Sequence, residues 1–284
     1  MSNSLMRPVM IKEKYEKYFP NPDFTVLGVN KLKIRKFSHK ALLILTPVLL
    51  LSACSRHALN CNDEDKKVNT IYEIAINQSK PGEHVNFLET RQAFVDVLGK
   101  EQATQNEGKW QPFFATDPNL ELDRVVAGMT VWSSMEGFGE AAQRLLPKKE
   151  AIDYFSTFDP LAYALLETKD GKAFDIESIK GKGSTIEFAI RKGKTDDAFG
   201  DVRDAFFKSL EQYEGYQFAR EFKVYKLDEK GIPSLAENTQ AVIISWKSAE
   251  QFQAAAQPIF ASKEAADFFS VIDVESYLAT SPAE

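Results

Sequence analysis

Hydrophobic and polar positions fall into a strand–helix rhythm that runs twice along the chain. Val68–Asn77 alternates and is rich in β-formers, which predicts a strand. Phe87, Thr90, Phe94, Val97 and Leu98 fall on one helical stripe. Apolar alternation returns near 110–116 and 124–132, predicting two more strands. Ser134 is placed to cap a following helix, because its hydroxyl can accept from free first-turn amides. A short helix over 148–156 and a last strand over 160–168 complete the set. The same succession returns with the stripe Phe199, Val202, Phe206 and Leu210, strands near 216–227 and 239–246, a cap at Ser248, a helix over 262–270 and a strand over 274–280. Each run reads β-α-β-β-α-β, a ferredoxin-like order.

The rhythm is a duplication. Trp132-Ser-Ser-Met-Glu-Gly-Phe matches Trp246-Lys-Ser-Ala-Glu-Gln-Phe, 114 residues later. Across 132–166 against 246–280, 15 of 35 positions are identical without a gap, far above chance. Ile71–Ile76 matches Thr185–Ile190 at the same spacing. Phe87, Arg91, Phe94 and Leu98 match Phe199, Arg203, Phe206 and Leu210 at 112, so two residues are lost before the second helix. The expected units are 68–170 and 184–284, of ordinary small-domain size, joined by a linker over 171–183.

One apolar run stands outside this rhythm. Ala41–Leu51 is too short for an ordinary membrane-spanning helix. It follows Lys31, Lys33, Arg35, Lys36 and Lys40, with no acid among them, and leads into Leu51-Ser52-Ala53-Cys54. That order resembles a bacterial lipoprotein signal, which implies lipidation and cleavage at Cys54. Residues 1–53 are set aside as a signal region, 1–30 being read as an over-extended start, and the polar stretch 54–67 as a tether. Ser55 in place of Asp implies, by the same resemblance, an outer-membrane location facing the periplasm. Cys61 is then a lone thiol.

The repeat itself resembles the antibiotic-biosynthesis-monooxygenase type of the dimeric α/β-barrel superfamily. The resemblance rests on a strand ending in Trp, Val126–Trp132 and Gln240–Trp246, then a Ser-capped helix with Phe138 or Phe252 six residues on. It implies an α+β fold of two tandem ferredoxin-like units whose sheets pair into a pseudo-dimeric barrel. One chain with two units is expected to do this alone, as a monomer, with helices outside and a ligand-sized space within.

Strand parity then names a candidate pocket. Tyr72, Ile74 and Ile76 share one face and are copied as Ile186, Phe188 and Ile190; this apolar face is expected to meet the helices. The other face would point Glu73 and Glu187 into the barrel beside Ala75 and Ala189, flanked by Trp132 and Tyr163 and by Trp246 and Tyr277. The functional reading is a desolvated carboxylate in an aromatic pocket, able to accept a substrate proton. The structural reading is a pair of carboxylates and aromatics serving the shared fold, which identity in both copies favours. Arg91 and Arg203 are expected as ion-paired surface.

Composition limits the chemistry. Net charge is −6 with no basic stripe, so nucleic-acid binding lacks electrostatic support. Three histidines occur, none in 148–158 or its copy, so the axial ligand of a haem-degrading relative is missing. No His/Cys metal pattern, phosphate loop or nucleophile motif occurs, and neither a metal nor a cofactor is expected. The catalytic residues, if any, are unknown at this stage. Two functions stand: an envelope protein holding a small apolar or aromatic ligand, and a cofactor-independent monooxygenase acting on an aromatic or quinol substrate. A barrel filled with side chains would favour a third, purely structural role.

Overall fold

The computed structural model describes residues 70–181, 183–228 and 231–283. The stretch 1–53 read as a signal, the expected lipidation site Cys54, Cys61 and the expected tether 54–67 lie outside these residues. The first unit runs β1 (Ile71–Ser79), α1 (His84–Leu98), β2 (Thr104–Ala115), β3 (Val125–Trp132), α2 (Met135–Leu145), α3 (Lys149–Ser156) and β4 (Phe158–Thr168). The second runs β5 (Thr185–Gly193), α4 (Asp201–Leu210), β6 (Tyr216–Leu227), β7 (Pro233–Trp246), α5 (Ala249–Phe260), α6 (Lys263–Val271) and β8 (Ile272–Pro282). Helices α2 and α5 begin where hydroxyls close their first turns: Ser134 Oγ accepts from the Gly137 amide at 2.9 Å, and Ser248 Oγ from Gln251 at 3.3 Å. Among the described residues no helix is long and apolar enough to cross a membrane.

All eight strands close into one barrel in the order β1-β3-β2-β8-β5-β7-β6-β4, every pair antiparallel. Within each unit the first strand lies between the third and the last. The units meet at two seams, β2 on β8 and β4 on β6, so the barrel closes within a single chain. Closure leaves no sheet edge open to another chain.

The barrel interior is filled. Tyr72, Ile74 and Ile76, with Ile186, Phe188 and Ile190, pack there against Trp110, Met129, Phe222 and Ile243. These are the side chains expected to meet the helices, so the assignment of faces is reversed. The physical reason is that both faces of a barrel sheet are buried, one in the lumen and one under helices. An apolar row is therefore compatible with either side. The lumen is lined mainly by apolar side chains. The helix-covered face can carry a carboxylate where Trp and Tyr donors reach it.

The segment between the units is more than a connection. Phe174, Ile176 and Ile179 are buried in the lumen cluster. The Tyr72 hydroxyl donates to the Phe174 carbonyl at 2.9 Å and accepts from the Phe174 amide at 2.6 Å. Trp110 Nε1 donates to the Ile179 carbonyl at 3.3 Å. The stretch read as a linker therefore plugs one end of the barrel.

Candidate functional site

Each carboxylate singled out from the repeat lies on the outer face of its first strand, under the helices. Strand register explains the company it keeps. Trp132 pairs with Ile71 and Tyr163 with Ala75, so both stand diagonal to Glu73 on one face, within reach of long side chains. Trp132 Nε1 donates to Glu73 Oε2 at 2.9 Å. Tyr163 donates to the same carboxylate, and burial pushes its phenol well above its ordinary range, which keeps the proton on the tyrosine. Around Glu187 the arrangement repeats. Trp246 Nε1 donates to Oε1 at 2.6 Å and the Tyr277 hydroxyl makes a short bond to Oε2. Trp132–Glu73–Tyr163 and Trp246–Glu187–Tyr277 are thus assembled as two triads. They sit outside the lumen, correcting the expectation that Glu73 and Glu187 point into it.

Burial raises the pKa of both carboxyls, and the aromatic donors offset only part of that rise. Glu73 is partly buried and displaced upward; Glu187 is 7% exposed and pushed up to about 6. Glu187 also borders a cavity of about 40 Å³ between the sheet and helices α4, α5 and α6. Its floor is Ala189 and its walls include Phe206, Phe252, Phe268, Phe269 and Tyr277.

Along the same face of β5, two positions past Ala189, stands Arg191, which also borders the cavity. Arg191 is 3% exposed, and its guanidinium lies 5.1–5.7 Å from the ring centres of Phe199, Phe207 and Phe268. Its Nη2 donates to Glu221 Oε1 at 3.0 Å. Arg203 donates to the same oxygen at 3.0 Å and pairs closely with Oε2. Burial, then the nearby charge of Arg203, lowers Arg191 to about 9, which leaves it cationic at neutral pH.

The first unit handles these positions differently. Asn77 stands where Arg191 does and donates to the Tyr154 hydroxyl at 3.1 Å; Tyr154 itself corresponds to Phe268. Arg91 pairs with Glu107, the counterpart of Glu221. Arg91 is 7% exposed, so the expectation of a surface ion pair holds for the pairing and fails for the exposure. Arg191, Glu221 and Glu107 were not singled out from the sequence. Glu107 and Glu221 recur at the repeat spacing, and Arg191 was visible as a departure from it.

Among the described residues no three His, Cys, Asp or Glu side chains lie close enough to hold a metal ion.

No protein-family model matches the sequence, and no curated protein matches it. Solved structures do resemble the fold. An anthrone oxidase-like protein superposes with a TM-score of 0.52 at 12% identity, over 77% of this chain and 93% of the other. A candidate chlorite dismutase superposes with a TM-score of 0.50 at 6% identity, over 76% of this chain and 96% of the other. Identities this low speak for architecture alone. With the closed eight-stranded sheet and the repeated helix layer, they show that the chain has the dimeric α/β-barrel fold, built from one polypeptide.

Proposed function

We propose that this protein is a lipid-anchored component of the cell envelope that binds a small apolar or aromatic ligand between the sheet and the helices of its second unit. The observation that carries the reading is the cavity bordered by Glu187, with small Ala189 as its floor and phenyl rings as its walls. The lining is that of a binding site, apolar with a few placed polar groups, and at about 40 Å³ it admits an aromatic body only when the helices part. The filled lumen moves the site from inside the barrel to beneath the helices, and the charge run and Leu51–Cys54 support the anchor. Native mass spectrometry of the full chain, extracted from the envelope in mild detergent, tests both parts. A mass increment for diacylglycerol on Cys54 and a second, dissociable increment are expected. A chain that carries no lipid and takes up no aromatic probe would overturn the reading.

A specific observation favours a second reading, cofactor-independent oxygenation. Burial raises Glu187 to about 6, a suitable level for a general base near neutrality. Such a base would take a proton from an activated methylene, and the resulting carbanion would itself reduce dioxygen. One oxygen atom would stay on carbon and the other leave as water. The resemblance in fold to an anthrone oxidase-like protein is consistent with this chemistry. Oxygen uptake with anthrone, abolished in Glu187→Gln, would support oxygenation; anthrone that binds without consuming oxygen would leave the carrier role.

A further inference from the structure

The two units share a framework but differ in buried charge. In the first, Arg91 and Glu107 balance each other, and the neighbouring pair Asn77–Tyr154 is neutral. In the second, Arg191 and Arg203 both bond Glu221, and Lys169 stands 3.9 Å from it. The carboxylate that offsets Arg203 on its other side, Asp204, is 62% exposed. Of these groups Arg191 and Glu221 are the buried pair, Arg203 being partly exposed and shared with Asp204, and it is the Arg191 guanidinium that borders the cavity. Its Nε finds no acceptor among the described residues. A buried donor left unpaired is destabilising, and more so when charged, so an acceptor placed there would relieve a standing penalty.

The layout of β5 fixes the rest of the ligand. Glu187 and Arg191 lie four residues apart on one face, which is about 13 Å along a strand. The ground between them is Ala189 under aromatic rings. A compact anion would leave that wall empty, and a neutral hydrocarbon would leave Arg191 Nε without an acceptor.

We propose that the cavity of the second unit selects an apolar carboxylate, with its carboxylate on Arg191 and its hydrocarbon or aryl body over Ala189 toward Glu187. This rests on the ligand-binding reading above and narrows it to one chemical class. The cavity is about 40 Å³ in this structure, so the helices must part to admit such a body. Pro258 weakens the layer where this is needed. It lacks the N–H that would bond Ala254, and it precedes Ile259 and Phe260, both of which border the cavity.

The test compares acids with their alcohols on the full chain: 1-naphthoate against 1-naphthylmethanol, and octanoate against 1-octanol, by equilibrium dialysis. At least one acid is expected to bind tenfold or more tightly than its alcohol, and the pair that does so tells an aryl body from an alkyl one. Arg191→Asn with Phe268→Tyr installs the pair that the first unit already accommodates, so it should fold. It should abolish the preference, so that the acid binds no more tightly than its alcohol. Arg191→Lys should keep part of the preference. Equal binding of acid and alcohol by the wild-type chain, or a preference that survives the double substitution, overturns this inference and leaves the binding function standing. Failure of all four probes overturns both.

Discussion

At the scale of single residues, Glu187 makes the sharpest prediction. Unfolded, its carboxyl loses its proton near the ordinary 4.5; folded, it keeps the proton until about 6. The folded state therefore holds the extra proton between those values, and stability is highest below 4.5 and falls as pH rises to about 6. The effect amounts to about 2 kcal/mol. Glu187→Gln should flatten this part of the stability profile, measured by denaturant midpoints from pH 4 to 7, with Glu73 supplying a remaining slope of the same sign. An unchanged profile would mean that solvent reaches the carboxylate. Gly108 makes a second prediction. A Cβ there would lie 2.3 Å from the Trp110 ring, which is fully buried and cannot move aside. Gly108→Ala should cost about 1–3 kcal/mol by overpacking. The sequence named the members of both triads because the repeat marked them and strand diagonals bring them together, but it set them on the wrong face of the sheet. Arg191 breaks the repeat, standing where the first unit has Asn77, and only the fold shows that it borders the cavity.

At the scale of elements, hydroxyl caps and apolar stripes were legible because they depend on neighbours close in sequence. Ser134 and Ser248 cap the helices that their spacing predicts. Ser134→Ala and Ser248→Ala should each cost about 1 kcal/mol, and the two losses should add, because the caps share no partner. Two element-level features escaped. Which face of β1 meets the helices depends on closure of the whole barrel, to which the local pattern is blind. The role of 171–183 depends on where Phe174, Ile176 and Ile179 fall in space, and a short irregular segment carries no periodicity to announce it. Ile179 is fully buried at the barrel end, so Ile179→Ala should cost about 2–5 kcal/mol, readable as a lowered thermal midpoint.

At the scale of the molecule, duplication made the fold legible, and closure within one chain followed from pairing two open sheets. The bearing of the two seams is direct. Residues 68–170 and 184–284, expressed as separate chains, would each expose two sheet edges and an apolar face. They are expected to be insoluble or weakly folded alone and to recover a common barrel when produced together, as size-exclusion chromatography would show. Two halves that are each soluble and monomeric would contradict the seam assignment.

The lumen adds a rule of partnership to that outcome. Its largest side chains stand opposite smaller counterparts from the other repeat: Tyr72 answers to Ile186, Trp110 to Val224, Phe188 to Ile74, and Phe222 to Gly108. Tyr72 meets Phe222 at 5.6 Å between ring centres, and Trp110 meets Phe188 at the same distance. A pair of identical first halves would have to house two indoles and two phenols in this space; a pair of second halves would double both phenyl rings. Neither set fits a volume shaped for one of each. The ancestral symmetry has been spent on mutual recognition, so that each half is now a template for its opposite and a misfit for itself.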